Sequence, residues 1–472
     1  MTTYLFYDIE TTGLNKAFDQ IVQFAAIRTD TQLQEMERYT IRIRLRPDVV
    51  PSARALITNR ISLGELGSGW AEVDAVQEIH RLMNVPGTVS LGFNTMSFDD
   101  EFLRFSFYRN LLSPYTHQYL NGCGRMDLLP ITILFWLYKR EVLNWPQVDG
   151  KPSLKLEHLA TANQLVAGPS HDATVDVEAT LKLARCFFEQ RTIWDYVIGF
   201  FDKETDSRRL TELPVVFQSP TAAHRQGLLL GSEYGPQQSF QIPVLSIGTS
   251  IPYPNQTLWL RLDWSGLRET MPEAIEATTW IVRKRCGEPG IILPPLPRFW
   301  KHLDPERSQI AAENLTWLMS NPDLFDRIVA YYQEFSYPYI DNLDLDAALY
   351  QLGFPSPSDE ALCREYHRAG LPQKIELAAR FASAEMRLLA KRLLFRNYPE
   401  ELPRSVRAEF RSYLRRAHAE DTRDILVDYK GQRRMTPHMA QQEIEQIRRE
   451  ENLDAVQHRL LDELEIYIRE TF

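Results

Sequence analysis

Two acidic residues stand two positions apart near the start of the chain, in the run FYDIETTG at positions 6–13. Residues i and i+2 of a β-strand point to the same face, so Asp8 and Glu10 would place two carboxylates side by side. Like charges this close repel each other, and the aromatic and aliphatic surroundings make an unpaired charge costly. The pair therefore predicts a divalent metal site, with a chemically inert strand end as the alternative.

A second acidic pair, Asp99 and Asp100, lies in the run GFNTMSFDD at positions 92–100. This run reads as a strand that passes through a loop into a helix. Either aspartate could contribute to a metal site, or it could only complement the dipole of the helix. The spacing leaves open which of the two has a chemical role.

A third group of polar residues opens a later helix, in the run SHDATVD at positions 170–176. Helical periodicity places Asp176 on the side that faces the core. Glu178 falls on the solvated side with Lys182 and Arg185. Asp172 is in a position to cap the helix, and His171 is either a base or an ordinary surface histidine.

The elements that position these residues predict an α/β layer domain at residues 1–192. Apolar runs and period-2 alternation predict strands at 4–9, 21–27, 40–45 and 89–93. Helical spacing predicts helices at about 70–83, from about 98, and at 173–190.

The composition changes twice further along the chain. Prolines and short β-prone runs predict a β-containing domain at 193–345. Few helix breakers follow, and we expect helices at 375–397, 405–418 and 437–471. A third, all-helical domain is therefore predicted at 348–472.

The overall composition is that of a globular protein of several domains. The chain has 472 residues, of which 44% are hydrophobic and 25% charged, and a net charge of -10. No apolar run approaches the roughly 20 residues of a membrane span, and no signal peptide is recognisable. The four cysteines form no C-x-x-C pair. We expect a cytoplasmic protein without a membrane, and the acidic charge argues against a uniform coat of nucleic acid.

Taken together, the order D-x-E, a later Asp, and H-x-x-x-x-D resembles the DEDDh superfamily of 3′→5′ exonucleases. The resemblance implies a ribonuclease-H-like fold and two divalent ions. It assigns Asp8, Glu10, Asp99 and Asp176 as metal ligands and His171 as the general base. Oxygen ligands of this kind suit Mg²⁺, for which Mn²⁺ can substitute.

Further runs resemble the bacterial exonuclease I family over nearly the whole chain. They are QFAAIRTD at 23–30, FDDE at 98–101, FYRN at 107–110, LEHL at 156–159 and RNYP at 396–399. The resemblance implies an SH3-like domain and a helical domain after the nuclease domain. It also implies a monomer that processively degrades single-stranded DNA to 5′-mononucleotides in DNA repair and recombination. A basic pocket, for which Lys139 is a candidate, would bind the acidic C-terminal tail of single-stranded DNA-binding protein.

Basic and aromatic residues provide candidates for DNA contacts. The predicted contacts are Thr11, Asn94, Arg104, Arg109 and Arg396. A basic stretch in the helical domain suggests a channel over the strand, although a solvated helix face explains part of it. Its members are Lys391, Arg392, Arg396, Arg404, Arg407, Arg411, Arg415 and Arg416.

Three other interpretations compete with this one. A DEDDh exonuclease that acts on RNA or in polymerase proofreading needs little beyond the first 190 residues, so about 280 further residues disfavour it. A non-catalytic nucleic-acid-binding protein is disfavoured by the intact set of five site residues. The run LPPLPR at 293–298 resembles a polyproline ligand, but a loop between strands explains it as well.

Overall fold

A mixed β-sheet organises the N-terminal region, in a computed structural model that describes residues 1–166, 172–219, 222–418 and 425–472. Its strands are β1 (Thr3–Thr11), β2 (Ile21–Thr29), β3 (Glu35–Arg42), β4 (Thr88–Gly92) and β5 (Gly124–Asp127). The order is β3-β2-β1-β4-β5. β1, β2 and β3 are antiparallel, whereas β4 runs parallel to β1 and β5 parallel to β4. The strand that carries Asp8 and Glu10 is thus central.

Helices cover both faces of this sheet. They are α1 (Ala53–Asn59), α2 (Leu63–Gly67), α3 (Glu72–Met83), α4 (Asp99–Arg109), α5 (Leu128–Tyr138), α6 (Leu156–Ala162) and α7 (Ala173–Phe188). α3 and α4 pack on one face, and α5 and α7 on the other, where Phe135 stacks on Phe187 with ring centroids 4.3 Å apart. A short hairpin of β6 (Gln147–Val148) and β7 (Lys151–Pro152) precedes α6.

The middle region is rich in β-structure. Its strands are β8 (Val215–Gln218), β9 (Ala223–Leu230), β10 (Gln241–Thr249), β11 (Thr257–Arg261), β12 (Ile281–Lys284) and β13 (Ile291–Leu293). They form an antiparallel sheet of order β12-β11-β10-β9-β13, with β8 paired to β9. Its helices are α8 (Arg191–Ile198), α9 (Lys203–Thr211), α10 (Ile275–Thr278), α11 (Pro297–Trp300), α12 (Pro305–Ser320) and α13 (Pro322–Glu334). Trp136 of α5 meets Phe240 edge to face at 5.3 Å, so this region and the first share a core.

The C-terminal region is helical. Its helices are α14 (Pro357–Arg368), α15 (Leu371–Arg380), α16 (Ala384–Asn397), α17 (Arg404–Ala417), α18 (Pro437–Glu450) and α19 (Ala455–Thr471). α14–α17 pack around a core that includes Val73 of α3, whereas α18 and α19 pack against α1. Both groups of C-terminal helices therefore pack against the N-terminal region. Within the described ranges, no helix has both the length and the apolar character needed to cross a membrane.

Two predicted helices are broken in the structure, and one predicted strand is shifted. The helix expected at 375–397 divides because Ser383 caps α16, its hydroxyl accepting the N–H of Met386 at 3.2 Å. The helix expected at 437–471 divides at Asp454, which forms a capping box with Gln457. β3 ends at Arg42 rather than residue 45, and Ile43 makes a separate bridge to Trp70.

Candidate active site

Three of the predicted metal ligands meet at the centre of the first sheet. Asp8 and Glu10 of β1 and Asp176 of α7 each offer a carboxylate oxygen, and these atoms lie within 4.8 Å of one another. They meet because α7 packs across β1 and β2. On β2, small Ala25 lies opposite Asp8 in the strand register. All three carboxylates are partly buried.

Asp99 joins this group, and Asp100 does not. Asp99 opens α4, and its Oδ1 accepts the N–H of Ile9, between the two acidic residues of β1, at 3.2 Å. Asp100 points into the protein, where its carboxylate meets Arg104 at 2.5 Å and Arg125 at 2.6 Å. Burial alone would raise the pKa of Asp100, but these arginines hold it well below its usual range. The geometry thus resolves the choice that spacing left open.

The site carboxylates destabilise one another's charged forms. Burial raises the pKa of Asp8 well above its usual range, and the charges of Asp99, Glu10 and Asp176 add to the effect. Burial and the same kind of repulsion raise the pKa of Glu10 to about 9. The pKa of Asp99 is also raised, mainly by burial. Carboxylate oxygens that converge from two elements and repel one another are the ligands that a divalent cation prefers, so the residues fit a metal site.

The residues at the start of α7 match their predicted roles in part. Asp172 caps the helix as expected, since its Oδ1 accepts the N–H of Thr174 at 2.9 Å. Glu178 is paired with Arg38 of β3 rather than with basic residues of its own helix. His171, the predicted general base, lies outside the described residues.

A cleft of about 460 Å³ opens beside Asp176 and reaches the middle region. Its walls include Phe93, Asn94, Leu129, Leu154, Lys155, Leu156, Glu157, Ser232 and Phe240. Apolar side chains cover much of the wall, and Lys155, whose side chain is 73% exposed, supplies an ammonium group. Such a cleft has the size and surface for a nucleotide. Apart from Asn94 and Asp176, sequence reasoning missed these residues, because they come from separate elements.

Asp127 is a further residue that sequence reasoning missed. It caps α5 through the N–H of Leu129 at 3.0 Å, and it also accepts the N–H groups of Asn94 at 2.8 Å and Met96 at 3.0 Å. Burial raises its pKa to about 6. Asp127 therefore fixes the loop that leads from the cleft to Asp99. An aspartate before the apolar run 128–137 was a detectable capping signal.

The predicted DNA contacts Arg109 and Arg396 need correction. Arg109 is 1% exposed, and its guanidinium group donates to the carbonyl oxygens of Lys16 at 3.2 Å and Ala17 at 2.5 Å. Arg396 is 5% exposed and is paired with Asp48 and Asp346. Neither group is accessible to a nucleic acid, so both have internal structural roles instead.

The other predicted contacts occupy varied positions. Arg104, 12% exposed in its side chain, is engaged by Asp100. The hydroxyl of buried Thr11 donates to the carbonyl oxygen of Gly13 at 2.7 Å. Asn94 is exposed at the cleft in a left-handed backbone conformation, with φ 65°. Of these three, Asn94 has the position best suited to touch a ligand.

The basic stretch divides into an internal part and an exposed part. Arg392 and Arg396 of α16 bind buried carboxylates, and Lys391 is paired with Glu409 at 3.1 Å. The exposed residues of the stretch lie on α17. They are Arg404, Arg411, Arg415 and Arg416. Lys391 and Arg407 are partly exposed but lie beside Glu409 and Glu400, so among the described residues of the stretch the four exposed arginines are the best placed to follow a nucleic acid.

Two parts of this chain match models of known protein families. Residues 5–184 match the family model described as Exonuclease, and residues 343–471 match the model described as Exonuclease I C-terminal domain. The chain thus contains an exonuclease domain, as predicted.

Similar individual proteins and solved structures identify the family within the exonucleases. Exodeoxyribonuclease I of Escherichia coli K12 is 30% identical over 381 residues, covering 76% of this chain and 78% of that protein. The crystal structure of E. coli exonuclease I with a dA16 oligonucleotide matches with a TM-score of 0.85 at 25% identity over 100% of both chains. A zinc-bound form of the E. coli exonuclease I complex with single-stranded DNA matches with a TM-score of 0.84 at 25% identity, again over 100% of both chains. This chain belongs to the exodeoxyribonuclease I family, and the predicted fold class is confirmed.

Proposed function

We propose that this chain hydrolyses single-stranded DNA from the 3′ end and releases 5′-mononucleotides. The observation that carries the proposal is the convergence of Asp8, Glu10 and Asp176 beside a cleft of nucleotide size, with the pKa values of Asp8 and Glu10 raised. The relative with this fold that was crystallised with a dA16 oligonucleotide supports the substrate class.

The metal in the proposal is Mg²⁺, bound as two ions by Asp8, Glu10, Asp99 and Asp176, with Mn²⁺ as a substitute. Carboxylate oxygens suit both metals. When bound, such ions neutralise the phosphodiester, lower the pKa of water and stabilise the leaving oxygen. The zinc-bound form of the E. coli relative supports a metal site in this fold.

The chain's own residues bind the strand and move the proton. His171 is the proposed general base that accepts the proton of the attacking water, since imidazole is the side chain suited to this role at neutral pH. Lys155 in the cleft wall is placed to pair with a phosphate, and Asn94 to donate hydrogen bonds to the terminal nucleotide.

Preference for single strands follows from the cleft. Its walls include Phe93, Leu129, Leu156 and Phe240, against which an unpaired base can pack. A paired base is held in its duplex and cannot enter. The exposed arginines of α17 would hold the strand between successive cleavages, and this supports processive digestion.

A partner site lies where α5 ends against α11. Tyr138 packs edge to face on Phe299 at 5.0 Å and on His302 at 5.1 Å. Exposed cations surround these rings: Lys139, Arg140, Arg298 and Lys301. Positive charge around an apolar centre suits the acidic C-terminal tail of single-stranded DNA-binding protein. Loss of binding of that tail peptide in a Lys301→Glu variant, but not in Lys182→Glu, would support this part.

We also place the protein in the cytoplasm as a monomer that acts in DNA repair and recombination. All four cysteines are free, which suits a reducing compartment. A sedimentation measurement of the full chain would test the oligomeric state.

End-labelled oligonucleotides test the main proposal. With Mg²⁺ the protein should shorten 5′-labelled single-stranded DNA stepwise from the 3′ end, and chelation of the metal should stop the reaction. Matched RNA and blunt duplex serve as controls. Equal digestion of RNA would favour an RNA exonuclease, and binding without digestion would favour a non-catalytic protein.

A further inference from the structure

The turn that follows Glu10 holds Lys16 in a fixed position next to α4. Asp19 accepts the N–H of Asn15 at 2.8 Å and the hydroxyl of Thr12 at 3.1 Å, so the turn is closed on itself. Arg109 fixes the carbonyl oxygen of Lys16 from inside. The Lys16 ammonium lies 4.6 Å from the ring centroid of Phe98, the residue directly before Asp99.

A tight turn of the C-terminal region brings Lys430 to the same place. The carboxylate of Asp428 accepts the N–H groups of Lys430 and Gln432, each at 2.8 Å. Gly431 permits the turn with φ 75°. The side-chain amide of Asn15 reaches the carbonyl oxygen of Gln432 at 3.5 Å, so this turn touches the one that carries Lys16.

Lys430 and Lys16 therefore meet over the first turn of α4. Lys430 lies 3.4 Å from the carboxylate of Glu101, two residues after Asp99, and its side chain is 50% exposed. Tyr429, beside it, stacks on Phe105 of α4 at 5.4 Å and anchors the turn. The two ammonium groups thus border the position of a metal ligand, one at Phe98 and one at Glu101.

Carboxylates surround the two ammonium groups, but each of them is also held by other protein groups. Burial lowers the pKa of Lys16, the charge of Lys430 adds to this effect, and Glu101, Asp428 and Asp19 oppose it. Glu101 also accepts hydrogen bonds from Tyr429 and from Tyr350. Asp428 accepts backbone N–H groups, and Asp19 closes the turn of Lys16. Because the Lys430 side chain stays half exposed, its ammonium group can still donate to a phosphate of a strand that passes this turn.

We infer that Lys16 and Lys430 together bind a phosphate of the substrate strand adjacent to the phosphate that is hydrolysed. The inference rests on the proposed function and adds a phosphate site built jointly by the nuclease region and the helical region. It also provides cations at the active site in place of Arg109 and Arg396, which are internal. Since Lys430 comes from the far end of the chain, the helical region contributes directly to substrate binding.

The test compares Lys16→Gln, Lys430→Gln and the double variant with the wild type. Equilibrium binding of a labelled single-stranded oligonucleotide is measured with chelator at several salt concentrations, so that no hydrolysis occurs. Each lost phosphate contact should reduce the slope of log K against log salt by about 0.7. The KM for digestion should rise several-fold, with kcat nearly unchanged. Lys182→Gln, an exposed lysine on the outer side of α7, is the matched control.

The alternative is that the lysines only join the two regions. In that case the double variant would melt at a lower temperature with an unchanged salt slope, and this would overturn the inference. Lys16→Arg with Lys430→Arg should restore the slope if charge is what matters. A wild type that does not digest single-stranded DNA would refute the proposed function, whereas a digesting wild type with lysine-independent binding would refute only this site.

Discussion

Two groups of buried carboxylates in this molecule have opposite electrostatics. At the active site, Asp8 and Glu10 have pKa values raised by burial and by other carboxylates. In the second group, Asp48 meets arginines on three sides, among them Arg396 at 2.8 Å. Burial would raise the pKa of Asp48, but Arg396 and the other arginines hold it well below its usual range.

The second group, here called the arginine cluster, is a complete set of charges. Its carboxylates are Asp48, Glu72, Asp344 and Asp346, and its cations are Arg46, Arg392, Arg396 and Arg434. It joins Asp48 of the N-terminal region to Asp344 and Asp346, which precede α14, and to Arg392 and Arg396 of α16. Both groups bear the cost of burying charge, but the arginine cluster contains its own cations, whereas the active-site carboxylates raise one another's pKa.

The same contrast occurs between neighbours on α4. Asp99 faces the other site carboxylates and has a raised pKa, whereas the adjacent Asp100 is paired with Arg104 and Arg125 and has a lowered one. On α4, Asp99 is therefore the carboxylate that suits an external cation, and Asp100 is balanced within the protein.

Among the variants, Asp8→Asn in the active-site group should have the largest effect on activity. The variant should fold and bind single-stranded DNA but lose turnover by about a thousandfold or more, because a metal ion supplies several kcal/mol of transition-state stabilisation. Single-turnover digestion with Mg²⁺ measures the loss. Asp74→Asn, on the exposed side of α3, should retain full activity. Unfolding of Asp8→Asn would instead indicate a structural role.

Arg396→Ala breaks the arginine cluster and should act on stability. Removing one partner leaves Asp48 and Asp346 buried with too little positive charge, which costs about 3–5 kcal/mol of unfolding free energy. Denaturant unfolding measures this loss, and exposed Arg411→Ala should stay within about 0.5 kcal/mol of the wild type. A raised KM with unchanged stability would contradict the internal role and restore the DNA contact.

Asp127→Asn should weaken catalysis without removing a metal ligand. The variant retains acceptor capacity on one oxygen only, so the loop at Asn94 and Met96 and the start of α4 lose part of their support. By analogy with residues that orient metal ligands, kcat should fall about 10–100-fold with little change in KM. Steady-state kinetics separate the two constants. Loss of affinity at unchanged kcat would show that Asp127 supports only the cleft.

The pH dependence of metal binding gives the smallest and most specific test. Glu10 has a pKa of about 9 in the folded protein and an ordinary value of 4.5 when unfolded, so the folded state holds an extra proton between these limits. The stability of the metal-free protein should therefore fall as pH rises through this window. Mg²⁺ replaces the proton and should raise the melting temperature more at about pH 8.5 than at about pH 6.5, by a few degrees. Equal shifts at both pH values would contradict the raised pKa, and Glu10→Gln should reduce the difference, with Asp8 and Asp99 accounting for what remains.

The local elements and the placement of Asp8 and Glu10 side by side on one strand were accessible to prediction from the sequence. Alternation and helical spacing predicted β1, β2, β4 and α7 within a few residues, since these patterns depend on near neighbours. The D-x-E spacing predicted the pair on β1 for the same reason. The breaks at Ser383 and Asp454 were missed, although both residues are ordinary helix caps.

What only the tertiary structure decided is which charges are paired. Arg396 and Lys430 look alike in the sequence as basic residues of a helical region, yet one is buried against Asp48 and the other is exposed beside Glu101. Their partners lie hundreds of positions away, and no local pattern encodes such a distance. The free energy of a charge depends on its burial and on its nearest opposite charge, and both are set by how distant segments pack.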